Sequence, residues 1–204
     1  MREIFSAISS DLSDYLKSTC YVNYENKRVA KQAKELFEQC PDLISGIKHV
    51  FEFVRDDVVH SWDIGSRRIT VTAPEVLAYR EGICYAKSNL LAALLRFGGV
   101  PTGFCYQRLV LGDTPDTGHC IHALNAVYLK DRDLWIRLDA RGNKAGVDAQ
   151  FSIEEEKLAF KVRPEYGEID YKEIYPDPLP QTMRALEKNE DCIDMCEGRL
   201  PQQL

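Results

Sequence analysis

Three residues have the types and spacing that thiol chemistry needs: Cys84, His122 and Asp139. A cysteine attacks a carbonyl as its thiolate. It works when a base stands beside it and a third group orients that base. Cys84 opens the run Cys84 to Phe97, which reads as a strong helix, with Gly82 two residues before it. A thiol at a helix N-terminus feels the positive end of the helix dipole, which favours thiolate. The first-turn N–H groups lack intrahelical partners and are available to a developing oxyanion. Gly82 is expected to let the chain turn sharply there. The competing reading of Cys84 as a small core residue has equal standing on local context alone.

His122 begins the strand-like run from His122 to Leu129, with His122, Leu124, Ala126 and Tyr128 on one face. His119 is the rival base, but it falls in the preceding polar loop, and a base must hold its geometry. Asp139 ends the next run, Leu134 to Leu138, on the face of Trp135 and Arg137. Lys130 to Asp133 is a short charged connection, which predicts an antiparallel hairpin. A turn centred near positions 130 and 131 would set His122 opposite Asp139 on neighbouring strands. The other use of Asp139 is as a turn residue before Arg141-Gly142-Asn143.

These residues need elements to hold them. The first sixty residues read as helical. Apolar positions recur at helical spacing from Ile4 to Leu16. A helix-favouring run from Arg28 to Cys40 is closed by Pro41, and a stripe runs from Leu43 to Val54. Arg68 to Thr72 is strand-like, and Ala73-Pro74-Glu75 starts a short helix. Leu90, Leu91, Leu94 and Leu95 form the buried stripe of the helix that Cys84 opens, and Gly98-Gly99-Val100-Pro101 ends it. Phe104 to Leu111 is a strand. Ile153 to Phe160 is expected to be helical. The proline-bearing segment from Pro164 to Pro180 should wrap the surface, and Gln181 to Cys192 should form a last helix. Helices first and a strand cluster later define an α+β class.

The chain has 204 residues, 45% hydrophobic and 28% charged, with net charge −6 from 26 basic and 32 acidic residues. That balance suits one globular domain and argues against a nucleic-acid binder, which carries a basic face. Seven scattered cysteines do not form a disulfide framework. No apolar run approaches the length of a membrane span or a signal peptide, so a reducing cytoplasm is the expected setting. His119, Cys120 and His122 are too tightly spaced for the usual zinc pattern. Glu154-Glu155-Glu156 reads as a solvated face rather than a calcium site. No cofactor and no metal is expected.

The order of motifs resembles the transglutaminase-like superfamily. Glu81-Gly82-Ile83-Cys84-Tyr85-Ala86-Lys87-Ser88, continuing to Leu94-Leu95-Arg96 and Gly99-Val100-Pro101, resembles its nucleophile helix. His122-Ala123 leading into a strand, and Trp135 with Leu138-Asp139, resemble its second and third motifs. The resemblance covers residues 60–142. It implies a papain-like α+β core with a nucleophile helix packed on an antiparallel sheet, and Cys84, His122 and Asp139 as a catalytic triad. It also implies an upstream aromatic donor to the oxyanion; Trp62 lies in that stretch, where tyrosine is commoner in the family. Leu124 and Ala126 replace the family's frequent Trp and Glu, which bears on specificity rather than on the triad. On this reading residues 1–59 are a helical extension, 60–145 the catalytic core and 146–204 a C-terminal wrap. The implied activity is acyl transfer on a peptide, protein or small amide through a thioester, resolved by water or by an amine. A catalytically silent binding module of the same fold is the alternative.

Overall fold

A computed structural model of the chain describes residues 5–112 and 114–204. The helix expected from Ile4 to Leu16 begins outside those residues, and the rest of it is not α-helical. Ser6–Ala7 is a strand, β1, and Leu12–Leu16 is a 3-10 turn. Ser and Asp side chains satisfy the backbone locally here and displace the α ladder: Asp11 accepts from the Ser13 N–H at 2.8 Å.

Two full helices follow. Helix α1 (Lys27–Glu38) is capped by Asn26 and α2 (Leu43–Asp56) by Asp42, each cap side chain accepting a first-turn N–H. Strand β2 is the dipeptide Val59–His60. Arg68 to Thr72, expected as a strand, is extended but pairs with nothing regular. Side chains hold it instead: the Thr70 hydroxyl donates to the Glu81 carbonyl at 2.9 Å, and Asn89 donates to the Val71 carbonyl at 2.8 Å. Thr72 and Glu75 then form a reciprocal capping box on α3 (Ala73–Tyr79). Strand β3 (Glu81–Gly82) runs parallel to β2 and delivers the chain into α4 (Cys84–Phe97).

Helix α4 is the centre of the molecule. Every residue from Tyr85 to Arg96 is buried, not only the leucine stripe. Lys87, Asn89 and Arg96 each donate hydrogen bonds inside the protein. Arg96 donates to the carbonyls of Thr102 at 2.7 Å and Lys17 at 2.7 Å.

Strands β4 (Thr102–Val110), β5 (His119–Leu129) and β6 (Leu134–Leu138) make an antiparallel meander. Strand β7 (Ile169–Asp170) closes the order β6-β5-β4-β7, and β8 (Glu173–Ile174) pairs with β1. Ile121, Ala123 and Val127 face the main core shared with the helices. Leu124 and Ala126 join Cys105, Tyr15 and Ile174 in a smaller cluster on the opposite sheet face.

Two C-terminal expectations are corrected. Residues 151–160 contain no helix: Glu156 is drawn to Arg137, with Nε and Nη2 donating at 2.8 and 2.7 Å. The final helix is two, α5 (Pro180–Lys188) and α6 (Cys192–Gly198). Asp191 breaks it by capping α6, accepting from the Ile193 N–H at 2.9 Å, while the Cys192 N–H is turned to the Arg67 carbonyl.

Candidate active site

Cys84 is the first residue of α4, Ile83 is the N-cap, and no side chain caps that end. No capping side chain therefore occupies the first-turn N–H groups beside the thiol. Gly82 does not supply the left-handed turn expected of it, since its φ is not positive. Its small size is what matters: a Cβ there would lie 2.9 Å from Thr70 Oγ1 and 3.2 Å from Ala86 Cβ. Gly82 lets β3 pack closely against the first turn of α4.

His122 lies on β5, and its Nε2 is 2.9 Å from Asp139 Oδ2. The ring and the Cys84 side chain line the same cleft, and the Cys84 charge acts on the imidazole. The hairpin register differs from the expected one by one residue of turn. Asn125 pairs with Leu138, so Asp139 falls opposite Leu124 and stands diagonal to His122. Because this moves the partner by two positions, the pleat keeps both side chains on one face, and diagonal neighbours remain within reach of an imidazole.

Asp139 is fully buried and every oxygen is used. Oδ2 also accepts from the Ala159 N–H at 3.0 Å, and Oδ1 from the Arg141 N–H at 3.2 Å. The Phe160 ring stands edge-on to the imidazole at 5.1 Å. The irregular segment that replaced the expected helix therefore roofs the His–Asp pair. Burial alone would push the His122 pKa down; the charges and hydrogen bonds of Asp139 and Cys84 outweigh it and raise it to about 10. Burial raises the Asp139 pKa, but His122 and the two backbone donors hold it below its ordinary value.

Lys87, one turn beyond Cys84, ties the site together. Its buried amine donates to the carbonyls of Val58, Arg141 (2.9 Å) and Arg55 (3.4 Å). Burial, aided by Arg141, lowers its pKa to about 7. It clamps the start of α4 to the segments before β2 and after Asp139. Tyr85 adds a bond from its hydroxyl to the Ile121 carbonyl at 2.7 Å, next to His122.

Cys84 and His122 open onto a cleft of about 650 Å³, whose walls include His60, Trp62, Cys120, Phe160 and Cys196. Trp62 stands on the rim, 42% exposed. His119 is turned away, its Nε2 2.9 Å from the Tyr166 carbonyl. Cys105 is buried as expected. Cys120 is half-buried in the cleft wall, where burial raises its thiol pKa to about 12. His60, Lys87, Ala159 and Phe160 were not singled out from sequence. Nothing local marks them, because each reaches the site through a contact distant along the chain.

The sequence profile of the transglutaminase-like superfamily matches residues 30–140, and the chain belongs to that superfamily. The fold is also found in a candidate cysteine protease from Cytophaga hutchinsonii, 20% identical, with a TM-score of 0.53 over 66% of this chain and 43% of that one. The periplasmic domain of TgpA from Pseudomonas aeruginosa is 16% identical, with a TM-score of 0.47 over 65% of this chain and 48% of that one. The chain thus spans under half the length of these two structures. No curated protein matches it in sequence. Membership defines a transglutaminase-like fold of the kind used for cysteine-dependent acyl transfer, with a mixed α+β, papain-like core.

Proposed function

We propose that the chain is a cysteine hydrolase that cleaves amide bonds in peptide or protein substrates, with Cys84 as nucleophile, His122 as general base and acid, and Asp139 as the orienting carboxylate. The observation that carries this reading is the buried imidazole of His122, its Nε2 2.9 Å from the Asp139 carboxylate, in the cleft that Cys84 also lines. Using Nε2 for Asp139 leaves Nδ1 for the thiol, the arrangement a thiol–imidazole pair requires.

In the first step a bond forms between Cys84 Sγ and the substrate carbonyl carbon. The carbonyl pair moves onto oxygen, where the first-turn N–H groups of α4 receive it. The oxyanion collapses, the C–N bond breaks, and His122 gives the leaving amine the proton taken from the thiol. Water then attacks the thioester, passing its proton to His122, and the C–S bond breaks to return a thiol. No sequence feature suggests a dedicated amine site, which favours water over amine transfer. The free thiols support a reducing, cytoplasmic setting as part of this proposal.

The test is iodoacetamide labelling at pH 6 followed by activity on a peptide library. Cys84 should label well ahead of the other six cysteines, and His122→Ala should slow it. Cleavage should fall by about 10²- to 10⁴-fold in His122→Ala. Labelling of Cys84 no faster than the rest, with no cleavage of any member, would overturn the proposal. Incorporation of an added primary amine in preference to hydrolysis would replace it with transfer.

A further inference from the structure

Acylation of Cys84 makes an oxyanion, and the first turn of α4 offers donors to it from one side only. We propose that His60 is a catalytic residue that donates its Nε2–H to this oxyanion from the part of the cleft wall formed by β2. The inference rests on the reading of Cys84 as the acylated nucleophile.

The placement is built into the backbone. His60 pairs with Gly82, two residues before Cys84, in the parallel β2–β3 bridge. The bridge is held by the Val59 N–H on the Arg80 carbonyl at 2.9 Å and the Ser61 N–H on the Gly82 carbonyl at 3.3 Å. His60 and Cys84 both line the cleft.

The ring's own bonding decides which nitrogen carries the proton. His60 Nδ1 is buried with no hydrogen-bond partner. A proton there would bury an N–H without an acceptor, an arrangement that folded proteins rarely leave. The tautomer with its proton on Nε2 avoids that buried N–H, and it is the one this proposal requires.

The ring also stays neutral. Burial, reinforced by the nearby Arg141 charge, holds its pKa well below the ordinary histidine value, outweighing the opposite pull of Asp63. His122, in the same cleft, is moved the other way. Two imidazoles pushed apart in this manner suit two roles, one as base and one as a neutral electrophile. No proton leaves His60 during the reaction. The hydrogen bond tightens as the carbonyl pair moves onto oxygen and relaxes when the C–N bond breaks.

Trp62 is the competing donor, but its 42% exposure leaves the indole in water, where a hydrogen bond to an oxyanion is worth less than in a dry site.

Two reactions of the same sulfur separate the roles. Acylation by p-nitrophenyl acetate passes through an oxyanion; alkylation by iodoacetamide does not. In His60→Ala the acylation burst should slow by about 10²-fold, with alkylation of Cys84 close to the wild-type rate. His60→Gln, which keeps an N–H donor, should recover much of the loss, and His60→Met, of similar size, should not. That pair decides the matter if the alanine variant fails to fold. Equal acylation in wild type and His60→Met, a parallel fall in acylation and alkylation, or a larger loss in Trp62→Phe would each overturn the assignment. A wild-type protein with no burst, or a burst that survives Cys84→Ala, would overturn the acyl-transfer reading beneath it.

Discussion

His122 is the residue on which most of the site's physics converges. Its pKa is raised by two partners, Asp139 first and Cys84 second, against the opposing effect of burial. Removing either should therefore lower it. In Cys84→Ala the imidazole pKa, followed by NMR, should drop below about 10 and stay above the value in the Cys84→Ala/Asp139→Asn double variant. The sign of the stability effect follows from the same shift. The folded-state pKa lies above the ordinary 6.5. The pair's contribution is therefore complete below about pH 6.5 and is lost as pH rises towards 10. The stability gap between wild type and Asp139→Asn, measured by urea unfolding, should shrink between pH 7 and pH 10. Stability of Asp139 runs the other way: its pKa is lowered, so its contribution is lost on acidification. A gap that widens with alkali would mean the imidazole is not held protonated by its partners.

At the scale of elements, α4 and the β5–β6 hairpin must meet at a fixed angle for the thiol and imidazole to touch. Lys87 and Gly82 are the parts that fix it. Lys87→Met keeps the length of the stem but strands buried carbonyls of Val58 and Arg141. It should destabilise the fold by about 1–3 kcal/mol, read as a lowered urea midpoint with unchanged slope. It should also slow Cys84 labelling, because the clamp between α4 and the Asp139 segment is lost. Gly82→Ala introduces a Cβ 2.9 Å from Thr70 Oγ1. Overpacking there should cost about 1–3 kcal/mol, and shortening Thr70 in Thr70→Ser/Gly82→Ala should not relieve it, since Ser retains the hydroxyl. Thr70→Ala/Gly82→Ala should recover more of the loss despite giving up the bond to Glu81.

At the scale of the whole molecule, the chain must fold residues 151–170 back over the sheet to roof the His–Asp pair. Arg137 holds that roof. Its side chain is 2% exposed and donates to Glu156 and, at 2.7 and 2.9 Å, to Asp170. Arg137→Leu leaves Glu156, 38% exposed, without this cation and Asp170 with Lys172 at 3.0 Å, and should lower the urea midpoint. Limited proteolysis should then cut first between residues 151 and 163. The Asp139 pKa should rise as the Ala159 N–H withdraws from its carboxylate. Protection of that segment equal to wild type would show that the roof is held by apolar packing instead.

The bounds of α4 were legible from Cys84 to Phe97 because they depend on local signals: a leucine-rich helical run, then two glycines and a proline. The meander was legible for a similar reason, since alternating apolar residues and a short charged turn specify antiparallel pairing between near neighbours. The face shared by His122 and Asp139 survived an error in turn length because the pleat repeats every two residues. What local pattern missed was decided by distant partners. Residues 153–160 have helical composition, yet Arg137 and Asp139 draw their side chains and backbone into an irregular roof. Ile4 to Leu16 has helical spacing, yet β8 recruits part of it as a strand. Nothing in sequence marks His60 as sharing a cleft with Cys84, because a two-residue parallel bridge carries no period to read. The sequence by itself determined the candidate triad and most of the elements that hold it. Only the tertiary structure decided the roof, the buried lysine clamp and the second histidine, because each depends on bonds between segments that no local propensity encodes.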